Sequence, residues 1–160
     1  VLVEQHDVAL FEGTLRANVA GRAEPDSERL SAAVRAAAAD DVVDAHPDGL
    51  DRELIERGAN LSGGQRQRIG LARAIAADPP VLVLHDPTTS IDAVTEALVA
   101  DGLAAARRSA ARGTLLVTSS PALLRAADRV AVLDGGRIVA EGVHDDLVDA
   151  DERYRAAVLR

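Results

Sequence analysis

Cysteine is absent from this 160-residue chain, and aromatic side chains are nearly so: one tyrosine and one phenylalanine, 1% of the residues. Without cysteine, disulfides and thiolate metal sites are excluded, and the redox compartment stays open. Without aromatics, a composition that is 48% apolar must fill its core with Ala, Val, Leu and Ile, which suits helices packed on a sheet. No apolar run approaches the ~20 residues that span a bilayer, and no signal-peptide pattern is present. Positive charge is also in short supply. Eighteen Lys and Arg face 26 Asp and Glu, a net charge of −8, which argues against wrapping nucleic acid. The arginines are scattered among carboxylates, the pattern of a solvated surface rather than a binding stripe. What is present is enough length for one domain with a sizeable core. The chain opens at Val1 inside the apolar stretch VLVEQ and without a methionine, so it is expected to be a piece of something longer.

Periodicity and punctuation give alternating elements. VLVE at 1–4 reads as a strand, and LFEGTLRANVA at 10–20 leads from a turn at Gly13 into a short helix. The Ala-rich stretch 21–54 reads as two helices, with Pro25 and Asp26 as start signals and HPDG at 46–49 as a stop. A helix is expected from Leu61 to about Ala77, with Asn60 and Ser62 as caps and DPP at 78–80 as its end. VLVLH then reads as a strand buried on both faces, a helix runs from about Asp92 to Ala111, and TLLVTS at 114–119 reads as another buried strand. A short helix (PALLRAA), a strand (RVAVLD), a Gly-Gly turn, a strand (RIVAEG) and two short polar helices finish the chain. Buried strands alternating with helices imply an α/β domain with a largely parallel sheet.

The helix start at Ser62-Gly63-Gly64 is where chemistry first shows. Free backbone N–H groups and the positive end of a helix dipole point outward there, and two glycines let a ligand come close. A plainer alternative is that the glycines make a turn and Ser62 only caps the helix.

The wider stretch LSGGQRQRIGLARAIAADPPVLVL resembles the signature helix of ATP-binding cassette (ABC) domains, followed by their Walker B strand. Further matches come in the family's order. LFEGTLRANVA resembles the segment after the Q-loop, ERGANLSGGQ (56–65) the stretch carrying the X-loop of exporter-type members, TSID (89–92) the D-loop, and ADRVAVLDGGRIVAEGVHDDL (127–147) the C-terminal strands. The resemblance covers nearly the whole chain. It implies a P-loop NTPase-like α/β ABC core with a helical subdomain at about 14–76, the α/β core and C-terminal part taking 1–13 and 77–160. The phosphate-cradling G-x-x-x-x-G-K-[ST] loop, Walker A, is absent from the sequence, so the resemblance implies a domain truncated at its N-terminal part.

By the same resemblance, His85 stands at the Walker B aspartate position, Asp86 at the catalytic glutamate and Ser119 at the H-loop histidine. His6 falls on the Q-loop glutamine, with Gln5 one residue early. Mg²⁺ takes oxygen ligands in near-octahedral geometry, so a neutral imidazole at His85 is a poor substitute for a carboxylate. Asp86 is one methylene shorter than Glu, and a base must lie within hydrogen-bond reach of its water. Ser119 can donate a hydrogen bond but cannot carry positive charge. Groupings such as His85, Asp86 and Asp92, or His144, Asp145 and Asp146, lack a third ligand at helical spacing for a transition-metal site.

The signature, Ser62, Gly63, Gly64 and Gln65, is intact while three catalytic positions are altered. ABC domains pair head to tail, each ATP lying between one domain's Walker motifs and the other's signature. The resemblance therefore implies the degenerate-site half of a heterodimeric exporter at the cytoplasmic face of a membrane, with ATP and Mg²⁺ as cofactors. Its partners would be a second nucleotide-binding domain and a transmembrane domain, with no nucleic acid. Thr89 to Asp92 would run along the dimer interface, with Asp92 near the nucleotide, and Glu56 and Arg57 near the membrane domain. Alone, the piece is expected to be inactive. The alternatives are a soluble ABC ATPase without transport, a non-enzymatic dimerisation module, and a defective fragment.

Overall fold

The computed structural model describes residues 1–5, 8–109 and 111–159. It forms two compact units, Val1–Val117 and Thr118–Arg160. In the first, β1 (Leu2–Gln5) leads to a two-residue strand β2 (Gly13–Thr14) and helix α1 (Leu15–Ala20), then α2 (Ser27–Ala36) and α3 (Asp40–Asp44). A second two-residue strand β3 (Glu53–Leu54), helix α4 (Gly63–Ala77), strand β4 (Val81–His85), helix α5 (Ala93–Arg107) and strand β5 (Gly113–Val117) complete it.

The caps explain where helices begin. Asp26 accepts from the Arg29 N–H at 2.8 Å to start α2, and Thr14 accepts from the Ala17 N–H at 3.0 Å to start α1. Helix α4 stops where its sequence says, on Asp78 in the left-handed conformation (φ 47°), ahead of the two prolines. Helix α5 ends at Arg107, short of Ala111. There the Arg107 guanidinium folds inward to the Asp78 carboxylate (3.1 Å), the Pro79 and Gly113 carbonyls (2.7 and 3.1 Å) and the Thr114 hydroxyl (3.2 Å). Arg29 and Arg112 reach the same carboxylate, so Asp78 joins α2, the α4–β4 turn and the end of α5.

The long strands form a parallel sheet in the order β1-β4-β5, and β2 pairs antiparallel with β3. Both crossovers, β1 to β4 and β4 to β5, move the same way across the sheet. The right-handed rule then puts all connecting helices on one face. Leu82 and Leu84 lie fully buried on that side, each contributing about 1.5–3 kcal/mol of transfer free energy. The opposite face corrects the expectation of strands buried on both sides: Val3 is 56% exposed, Leu115 56% and Val117 50%. Among the described residues only one side of the sheet is covered.

Within the helical layer, Leu15, Val19, Val42, Ile69 and Leu71 are fully or almost fully buried. Asn18, also buried, spends its amide on the Phe11 N–H and the Phe11 and Thr14 carbonyls, which ties the loop after β1 to α1. Gly102 lets α5 approach α2 so closely that a Cβ there would meet the Ala36 carbonyl oxygen at 2.2 Å. Arg68 of α4 binds Asp41 and the Ala38 carbonyl, and Arg73 binds Glu4 (2.8 Å) and the Ala9 carbonyl (3.0 Å).

The second unit holds α6 (Pro121–Ala126), an antiparallel hairpin of β6 (Val130–Asp134) and β7 (Arg137–Gly142), then α7 (His144–Ala150) and α8 (Glu152–Val158). Gly135 and Gly136 turn the hairpin with φ of 54° and 77°. Leu124, Val130, Leu147, Tyr154 and Val158 form its core. There His144 pairs through Nδ1 with the Tyr154 hydroxyl at 2.8 Å, and burial raises the phenol pKa above its ordinary value. No described helix is long and apolar enough to cross a membrane.

Candidate functional site

The start of α4 is built by a reciprocal cap. The Ser62 hydroxyl oxygen accepts from the Gln65 backbone N–H at 3.2 Å, and the Gln65 side-chain oxygen accepts from the Ser62 N–H at 2.9 Å. Gln65 is thereby committed to shaping the helix start. A hydroxyl that accepts at oxygen keeps its own proton to donate outward, and Ser62 is exposed. Gly63 and Gly64 do not make a turn: they are the first residues of the helix itself. Their N–H groups belong to the helix terminus that has no carbonyl partner within the helix, and the dipole of a 15-residue helix points its positive end the same way.

Gly64 has a second reason to lack a side chain. A Cβ there would lie 2.6 Å from the Ser90 carbonyl oxygen, and one at Gly63 would lie 3.4 Å from the Ser90 Cβ. The helix start thus rests directly on the loop 86–92. Two further bonds fix that contact. Gln67, 5% exposed, donates from Nε2 to the Thr89 hydroxyl at 2.8 Å and accepts at Oε1 from the Ser90 N–H at 2.9 Å. On either side of Thr89–Ser90 the loop is held by Thr88, whose hydroxyl donates to Glu96, and by Asp92. The Asp92 carboxylate caps α5, accepting from the Val94 and Thr95 N–H groups (3.1 and 3.0 Å) and the Thr95 hydroxyl (2.7 Å). The Thr95 backbone bond, then its hydroxyl, holds the Asp92 carboxyl below the usual carboxylate range.

A second group gathers at the carboxyl end of the sheet, where ligands of open α/β folds bind. Gln5 and Val117 flank His85 in register. His85 Nε2 lies 3.6 Å from the Asp86 carboxylate, both partly exposed. Asp86 takes the left-handed conformation (φ 46°), and its N–H donates to the Val117 carbonyl at 2.9 Å. Of this pair only the Asp86 carboxylate is an oxygen donor of the kind Mg²⁺ takes, and the His85 imidazole is not. Among the described residues no three His, Asp or Glu side chains gather to hold a metal ion. His6 lies outside the described residues. Ser119 is exposed in the second unit, just ahead of α6, which Ser120 caps. In that unit His144 faces Tyr154 and Asp145 faces Arg125.

Glu56 and Arg57 are exposed in a short 3₁₀ turn (Glu56–Gly58), with Arg57 at φ 57°. Asn60 organises this loop, donating to the Glu53 carbonyl at 3.1 Å and accepting from the Ile55 N–H at 3.4 Å. Gln67 is the residue that sequence reasoning passed over. It stands in the polar run Gln65–Arg68, where nothing local marks it out from its neighbours.

A family profile described as "ABC transporter" matches residues 1–89. A "Multidrug efflux ATP-binding/permease protein" of Mycobacterium bovis (strain BCG / Pasteur 1173P2) is 43% identical over 150 residues, 93% of this chain and 12% of that protein. An "ATP-dependent lipid A-core flippase" of Burkholderia orbicola is 44% identical over 142 residues, 89% of this chain and 24% of that protein. The solved "Structure of a bacterial Atm1-family ABC exporter with ATP bound" superposes with a TM-score of 0.83 at 32% identity, covering 99% of this chain and 28% of the other. The chain spans a quarter or less of the length of these curated relatives.

Proposed function

The chain belongs to the ABC transporter family, and from that premise we propose that it forms part of the ATP-binding component of a membrane exporter. In this reading it donates its signature to ATP held mainly by a second nucleotide-binding domain. The observation that carries the proposal is an asymmetry. The Ser62–Gly64 helix start is fully built, capped and seated on Ser90, whereas at the strand end His85 offers an imidazole, a poor donor for Mg²⁺, beside the single carboxylate of Asp86. The Ser62 hydroxyl and the Gly63 and Gly64 N–H groups would donate to the γ-phosphate, where charge shifts as the phosphoryl group leaves. Mg²⁺ would come with the partner's nucleotide, supplying charge neutralisation there.

The same reading assigns residues 14–76 to the helical subdomain, Glu56 and Arg57 to the contact with a membrane domain, and Thr89–Asp92 to the dimer interface. It places the domain at the cytoplasmic face of the membrane, with a hetero-partner bearing the intact catalytic residues. Gln5 and His6 occupy the Q-loop region and Ser119 the H-loop position of a site whose own hydrolysis is weak.

Two substitutions in the complete subunit, co-expressed with its neighbouring half-transporter, test the proposal through ATPase rates. Ser62→Arg pushes a long cation into the phosphate-facing helix start and is expected to lower turnover about a hundredfold. Asp86→Asn, which touches this chain's own strand end, is expected to leave turnover almost unchanged. Equal damage from both would assign catalysis to the His85–Asp86 end and overturn the asymmetric reading.

A further inference from the structure

The Gln67 clamp suggests how the helix start and the following loop act together. Its amide is buried, and a buried amide contributes little net stability even when both ends are bonded, because folding exchanges hydrogen bonds with water for internal ones. What it does contribute is geometry. Nε2 and Oε1 seize adjacent residues of the loop, the Thr89 hydroxyl at 2.8 Å and the Ser90 N–H at 2.9 Å, while the Ser90 carbonyl presses on Gly64. The Thr88–Glu96 bond and the Asp92 cap tie the loop to α5 on either side of that pair. Ser62, Thr89 and Ser90 are all exposed above this buried amide. The helix start and the loop therefore present one surface whose internal spacing is set by a side chain that no ligand would touch.

We propose that Gln67 is a positioning residue for hydrolysis at the partner's ATP, holding Thr89–Ser90 at a fixed offset from Ser62–Gly64 so that both segments meet one nucleotide together. The inference rests on the signature-donor reading above. It concerns the preset spacing and not nucleotide affinity, so its signature lies in kcat. A small misplacement of groups around a reacting centre is costly in rate while ground-state binding persists.

The test uses the assembled transporter and steady-state ATPase kinetics, with thermal unfolding measured alongside. Gln67→Leu keeps the side-chain bulk and removes the hydrogen bonds to Thr89 and Ser90. Thr89→Val keeps the shape and removes one of them. The expected result for Gln67→Leu is a kcat reduced about tenfold, with KM for ATP within about twofold of the parent and the melting temperature little changed. Thr89→Val is expected to lose less, and the double variant no more than Gln67→Leu, since the bond is shared. Amide exchange at Ser90 should quicken in Gln67→Leu.

An unchanged kcat in Gln67→Leu, a loss confined to KM, or losses that add independently in the double variant would overturn the inference. Ser62→Arg, run in parallel, separates the two levels. If it leaves turnover intact, the donor reading itself fails. If it abolishes turnover while Gln67→Leu is silent, only the positioning role fails.

Discussion

Asp41 is one of two carboxylates, with Asp92, that the described fold holds below the ordinary range. Its carboxylate takes the fork of Arg68, and that hydrogen bond, followed by the charge of the guanidinium, outweighs partial burial and holds its pKa below the ordinary Asp value. A pKa depressed in the folded state gives stability that is fully present above the unfolded value, ~3.9, and is lost as pH falls through the lower folded one. The expected outcome is that Asp41→Asn is less stable at neutral pH and flattens the acid limb of the unfolding curve, as followed by urea titration from pH 6 downward. An unaltered acid limb would count against the pairing. Asp86 carries a lesson at the same scale. Its left-handed backbone is one that Asp and Asn adopt more readily than other side chains, so Asp86→Asn removes charge without straining the chain, and Asp86→Ala would mix the two effects.

At the scale of elements, the end of α5 depends on one fork of donors. Arg107 is 7% exposed and satisfies a carboxylate, two carbonyls and a hydroxyl, while burial lowers its pKa and the Asp78 charge opposes that shift. A lysine offers its donors from a single nitrogen and cannot span that arc. Arg107→Lys is expected to cost about 1.5–3 kcal/mol, read as a lower midpoint in chemical denaturation with an unchanged slope. The same hub shows what sequence could and could not reveal. Helix and strand order was legible because caps and stops are local: Asp26, Ser62, Asp78 and the prolines act within a few residues of themselves. The early end of α5 was not, because its cause lies 29 residues away at Asp78. The β2–β3 pair is two residues long on each side, too short to leave a periodic trace. In the candidate site, the Ser62–Gly64 start was legible as a capped helix terminus, and the register of His85 and Asp86 came from family resemblance. Gln67 escaped because its partners, Thr89 and Ser90, lie 22 and 23 residues on, across a strand.

At the scale of the whole molecule, the burial of the sheet was misjudged for a reason that is itself physical. An unbroken run such as VLVLH has the same apolar pattern whether one face is covered or two, and only the hand and direction of the crossovers decide. The fold class followed from alternation alone, since buried strands separated by helices admit few architectures. A sheet clothed on one side also has a calorimetric consequence. Heat capacity on unfolding reports the apolar surface newly wetted, and Val3, Leu115 and Val117 are already half wet in the folded chain. Scanning calorimetry of the isolated 160-residue chain is therefore expected to give an increment per residue below the usual ~12–15 cal/mol/K. The value should climb toward that range whenever something dries the exposed face. An ordinary increment for a monomer would mean the face is already dry. Assembly would then be readable as heat.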